Sequence, residues 1–229
     1  MRLSSRLQYL DALGIDTWVP REPEKLPAPD IDAFDSATSP DWLPLQQEVS
    51  VCVKCSLAAT RTRTVFGVGN PHADWLVIGE APGAEEDRQG KPFVGAAGKL
   101  LDAMLQAIGL SREQNVFVAN MLKCRPPGNR DPKPEELAAC LPYLMRQIAA
   151  IKPKLILAVG RIAAQNLLAT DVPLGRLRGR VHRFGPLSTA LIVTYHPAYL
   201  LRSPAEKRKA WEDLKFARDF FKNTFVSGS

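Results

Sequence analysis

Four short, almost unbroken apolar runs constrain the fold of this 229-residue chain more than any other feature: Trp75–Gly79, Val116–Asn120, residues 155–160 and residues 190–195. Helix-length segments separate them at about 95–109, 134–150 and 161–169, and a last one follows at about 204–223. Runs this short, apolar on both faces and spaced by helices, read as strands of a mainly parallel sheet covered on both sides. The prediction is an α/β three-layer sandwich around a central, mainly parallel four-stranded sheet. Ligands in such folds bind at the loops that follow the C-terminal strand ends.

The first fifty residues are of another kind. They hold four Lys and Arg against nine Asp and Glu, net −5, whereas the remainder holds 26 against 15, net +11. A basic body with an acidic appendage suits a polyanion partner, since Lys and Arg beside phosphates gain affinity by releasing counterions. Leu7, Leu10 and Leu13 share one helical face before Gly14, so residues 1–19 are expected to carry a short helix. Residues 20–44 are rich in Pro, Asp, Glu, Ser and Ala and are read as a flexible acidic linker. Residues 45–225 form the expected globular domain. No run approaches the roughly 20 apolar residues of a membrane span and no secretory leader is evident, so a cytoplasmic monomer is expected.

Cys52, Cys55, Cys124 and Cys140 follow the pattern C-x2-C, a long gap, then C-x15-C. A reducing compartment disfavours a disulfide framework. Four thiolates can instead close around zinc or an iron–sulfur cluster, and spacing does not separate the two.

The loops after the predicted strands carry Gly79-Glu80-Ala81-Pro82-Gly83, Lys91-Pro92-Phe93-Val94-Gly95, Asn120-Met121-Leu122-Lys123-Cys124-Arg125-Pro126-Pro127 and His196-Pro197-Ala198-Tyr199-Leu200-Leu201-Arg202. In this order, with the four cysteines, they resemble the family 4 uracil-DNA glycosylases over about residues 52–221. The resemblance implies the uracil-DNA glycosylase fold, hydrolysis of the N-glycosidic bond of uracil in DNA to begin base excision repair, and a [4Fe-4S] cluster on Cys52, Cys55, Cys124 and Cys140.

It also implies a division of labour. Uracil must leave the base stack before a pocket can surround it. Gly79, Ala81, Phe93, Asn120 and His196 are the expected pocket, with Phe93 stacked on the flipped base and Asn120 able to pair with the O4 and N3–H edge. His196 is expected to hydrogen-bond O2 as negative charge develops there. Ala81 stands where other uracil glycosylases carry an Asp, which leaves the water-activating group open. Glu80 either positions water or leaves stabilisation to the uracil anion and the phosphates. Glu86 is either near that water or a wall against the 5-methyl of thymine. Leu200 matches the apolar wedge that fills the vacated stack. Lys123, Arg125 and Arg202 are expected to contact phosphates, with Arg176, Arg178, Arg180 and Arg183 as a further basic stretch on an exposed loop or edge strand. No catalytic Lys is apparent, so a monofunctional enzyme without a lyase step is expected.

Residues 6–21, with Tyr9-Leu10, Leu13-Gly14-Ile15, Trp18 and Arg21, resemble the N-terminal segment of the psi subunit of the bacterial clamp loader. That likeness implies a replisome partner for residues 1–25; the alternative is a helix packed back on the domain. A replisome adaptor that merely reuses the fold is a competing function, and intact Phe93, Asn120 and His196 argue for the enzyme.

Overall fold

The computed structural model describes residues 42–226. The expectations for residues 1–19, and for 20–41 of the linker, lie outside the described residues.

The first described helix, α1 (Trp42–Ser50), includes residues 42–44, which the sequence reading assigned to the linker. Trp42 is buried edge-on against Phe66 and Phe117, with ring centroids at 5.1 and 5.2 Å, so the packed domain begins before residue 45.

Strands β1 (Val68–Gly69), β2 (Trp75–Gly79), β3 (Val116–Asn120), β4 (Leu155–Val159), β5 (His182–Phe184) and β6 (Thr189–Thr194) form one sheet in the order β1-β3-β2-β4-β6-β5. The four inner strands are parallel, and β1 and β5 add antiparallel edges. The expected four-stranded parallel core is therefore present inside a six-stranded mixed sheet. The edge strand β5 holds Arg183 of the basic stretch expected on an exposed loop or edge strand, whereas β1, two residues long and without an apolar run, carries no sequence signal.

Alternate residues of each inner strand enter opposite cores, as the pleat requires. Leu76, Ile78, Phe117, Ala119, Ile156 and Ala158 pack on one face with α1 and α4 (Pro134–Ile151). Trp75, Val77, Val116, Val118, Leu155 and Leu157 pack on the other with α3 (Ala96–Gln106) and α8 (Lys207–Phe225). The remaining helices are α2 (Ala84–Gln89), α5 (Arg161–Leu167), α6 (Leu174–Leu177) and α7 (Pro197–Arg202). Register pairs Gly79 with Asn120 and Val159 with Thr194, so the motif loops leave the sheet at one end, as expected for a parallel core. Among the described residues no helix is long and apolar enough to cross a membrane.

Candidate active site

A pocket opens at that end, walled by Glu80, Ala81, Glu86, Phe93, Asn120 and His196. Gly79, expected in the pocket, is not among its lining residues; it backs the Asn120 and Phe93 walls so closely that a Cβ there would meet Asn120 Oδ1 at 2.5 Å and the Phe93 ring at 2.6 Å. The Phe93 and His196 rings lie 5.6 Å apart between centroids, tilted by 31°.

Asn120 ends β3 almost wholly buried, and its Oδ1 has no hydrogen-bond partner. A buried acceptor left unpaired costs roughly 1–3 kcal/mol. Such an atom calls for a donor that the described residues do not supply, from a water or a bound ligand.

His196 caps α7: its Nδ1 accepts the Ala198 N–H at 3.1 Å, which leaves the ring proton of the neutral form on Nε2. Burial, and next the Arg202 charge, push its pKa down to about 4 against the opposing pull of Glu86. The ring is thus a neutral donor near pH 7. Gly160, at φ 98°, permits the close passage of this turn, since a Cβ there would meet His196 Cβ at 2.9 Å.

The two candidate carboxylates differ. Burial, then Asp131, raise the Glu80 pKa while Arg161 opposes them, which makes Glu80 a better proton acceptor than a free carboxylate. Glu86 is already engaged: its Oε1 accepts the N–H groups of Val94 and Gly95 at 2.8 and 3.0 Å, holding the Phe93 loop.

Two expected DNA contacts are corrected. Lys123 is 1% exposed; its Nζ donates to the Asn120 carbonyl at 2.9 Å and to Gln147 Oε1 at 2.6 Å, and burial lowers its pKa to about 8. It cannot meet a phosphate. Leu200 is 1% exposed and belongs to the core on the α3 face, so it is no wedge; its neighbours Tyr199 and Leu201 are the exposed apolar side chains of α7. Arg202 remains exposed at the rim, and Arg125 is half-buried with its Nε on Asn129 Oδ1 at 2.7 Å.

The basic stretch also divides. Arg178 is drawn inward onto Asp213 at 2.7 Å and over the Tyr195 ring at 4.4 Å, while Arg183 sits on β5 opposite Ala190, away from the pocket. Arg130 and Arg161, which no motif marked, line the pocket instead.

Cys52, Cys55, Cys124 and Cys140 all border a second, narrow cavity, together with Val49, Leu57, Leu122 and Tyr143, and none is in a disulfide. Cys140 Sγ accepts the Lys123 N–H at 3.2 Å, and Cys124 Sγ accepts from Arg61 Nη1 at 3.5 Å. Burial pushes the Cys124 thiol up to about 11 and raises Cys140 as well. Deprotonating thiols so placed requires a cationic partner. Among the described residues, no three Cys, His, Asp or Glu side chains close on a point where a single metal ion would sit. Four thiols facing one cavity are a donor set that suits a tetrahedral ion or an iron–sulfur cluster.

Residues 66–215 match the family model described as the uracil DNA glycosylase superfamily. The type-4 uracil-DNA glycosylase of Archaeoglobus fulgidus is 47% identical over 176 residues, covering 74% of this chain and 87% of that protein. Its counterpart in Thermotoga maritima is 40% identical, covering 78% of this chain and 93% of that one. The chain belongs to the type-4 uracil-DNA glycosylases. In this glycosylase the motif loops from Gly79, Phe93, Asn120 and His196 converge on one pocket although they are spread over more than half of the sequence.

Proposed function

We propose that the uracil-DNA glycosylase activity of this chain is hydrolytic and monofunctional, with the uracil pocket built on Phe93, Asn120 and His196. The observation that carries this reading is the unpartnered, buried Oδ1 of Asn120, which matches the N3–H of uracil. With the base seated there and stacked on Phe93, the neutral His196 donates its Nε2–H to O2. As the C1′–N1 bond breaks, its electron pair passes into the uracil ring, and the donor strengthens as charge gathers on O2. Water adds its oxygen to C1′, and Glu80, whose pKa is raised, takes the released proton.

Cys52, Cys55, Cys124 and Cys140 are the residues that would hold a [4Fe-4S] cluster, which would supply a structural bridge between α4 and the loops after α1 and β3. A cytoplasmic setting, which keeps thiols reduced, agrees with four unpaired cysteines. The same proposal gives residues 1–25 a docking role toward a protein partner, with a clamp-loader subunit as first candidate.

Asn120→Ala tests the pocket. Single-turnover excision of uracil should fall at least about tenfold, or about 1.4 kcal/mol, with DNA affinity unchanged. An equal loss of DNA affinity would make Asn120 a general DNA contact and sink the reading.

A further inference from the structure

Phe93 presents its ring to the pocket from a left-handed backbone, φ 52°, that a bulky L-residue adopts only when its surroundings enforce it. The segment that carries it, between α2 and α3, has no secondary structure of its own to do so. Enforcement comes from three directions. Helix α3 presses close at Gly98, where a Cβ would meet the Phe93 carbonyl oxygen at 1.8 Å. Glu86 holds the N–H groups of Val94 and Gly95. Arg112, remote in sequence and in no motif, holds the carbonyls: Nη1 donates to Pro92 O at 2.8 Å and Nη2 to Phe93 O at 2.9 Å.

The guanidinium is itself anchored, with Nε on Asp102 Oδ1 of α3 at 2.5 Å, and its side chain is only 14% exposed. A planar fork fixed at its base can capture two successive carbonyls at once, which a lysine ammonium on a flexible stem cannot reproduce. Arg112 is not among the residues that line the pocket. Peptide groups on both sides of Phe93 are therefore gripped by opposite charges, the N–H side by a carboxylate and the carbonyl side by a guanidinium.

The geometry points to Arg112 as a positioning residue for base recognition, acting through Phe93: it holds the Pro92–Phe93 carbonyls so that the ring stays against the seat of the uracil. This rests on the reading of Phe93 as the stacking surface. Without the fork, the two carbonyls turn to water and the backbone at Phe93 relaxes toward commoner conformations, carrying the ring off the base.

The test is a double-mutant cycle on the intact protein, read by the inhibition constant of free uracil, single-turnover excision, affinity for uracil-free DNA, and Tm. Arg112→Ala should weaken uracil inhibition and slow excision by about tenfold each, with affinity for uracil-free DNA within about twofold, because Arg112 reaches the pocket only through the Phe93 segment. Arg112→Lys, which keeps the charge but not the fork, should lie between and carries the test if the Ala variant does not fold. In a Phe93→Ala background, Arg112→Ala or Arg112→Lys should cause no further loss. Uracil inhibition unchanged in both Arg112 variants, or the same loss with and without Phe93, overturns the inference. If Phe93→Ala alone leaves uracil inhibition intact, the stacking reading itself falls, and the Arg112 role with it.

Discussion

The proposed uracil pocket and the cysteine cavity start from the same strand end, only four residues apart at Asn120 and Cys124, yet they are opposite in character. The pocket is walled by polar groups kept ready: an acceptor without a partner, a neutral imidazole and a carboxylate with a raised pKa. The cavity has apolar walls, and two of its four thiols already accept hydrogen bonds. A site for a guest that comes and goes leaves its polar atoms to be completed by that guest, whereas a site for a resident group surrounds it and excludes water. Lys123 lies between the two, its N–H on Cys140 Sγ and its ammonium on the Asn120 carbonyl.

The harshest way to break this contrast is to remove a thiol. Cys140→Ser should abolish the brown colour and the roughly four irons per chain expected of a [4Fe-4S] protein, and lower soluble yield and Tm before any effect on chemistry is measurable. Iron analysis and a melting curve decide it; a colourless, zinc-loaded parent protein would defeat the cluster assignment.

Leu200→Ala tests where the core ends and the DNA face begins. Loss of a buried leucine should cost about 2–5 kcal/mol of stability, read from denaturant unfolding, with excision by the remaining folded protein little changed. The wedge role expected from the motif would give the reverse, normal stability with slowed excision.

A subtler effect concerns His196, the polar side of the comparison. Its native pKa of about 4 lies below the ordinary 6.5, so between those values the unfolded chain takes up a proton that the native chain refuses. The contribution of His196 to stability should therefore fall as pH drops from about 6.5 to about 4 and change no further below, and His196→Asn should lose that part of the slope. Unfolding curves across this range, compared between parent and variant, measure it. Removal of residues 1–25 should have the smallest effect on chemistry, leaving excision rate and Tm unchanged while binding to clamp-loader subunits is lost; a lower Tm would instead mark the segment as part of the fold.

What was legible in the sequence came by two routes. The four inner strands announce themselves because a strand buried on both faces must be apolar throughout, whereas Phe93, Asn120 and His196 stand out only through the resemblance of their motifs to the family. The cysteine spacing revealed a shared site, although it could not tell zinc from a cluster. Tertiary structure alone decided the direction in which each loop side chain points. Lys123 turns inward because Gln147 and the Asn120 carbonyl accept its ammonium, Leu200 faces the core because α7 rests against the α3 side of the sheet, and Arg130 from a loop and Arg161 from the start of α5 reach the pocket although no motif marks them. The grip of Arg112 on the Phe93 loop was equally invisible, because a hydrogen bond between residues 19 or 20 positions apart leaves no periodicity or motif in the chain and exists only once α3 has folded over the sheet.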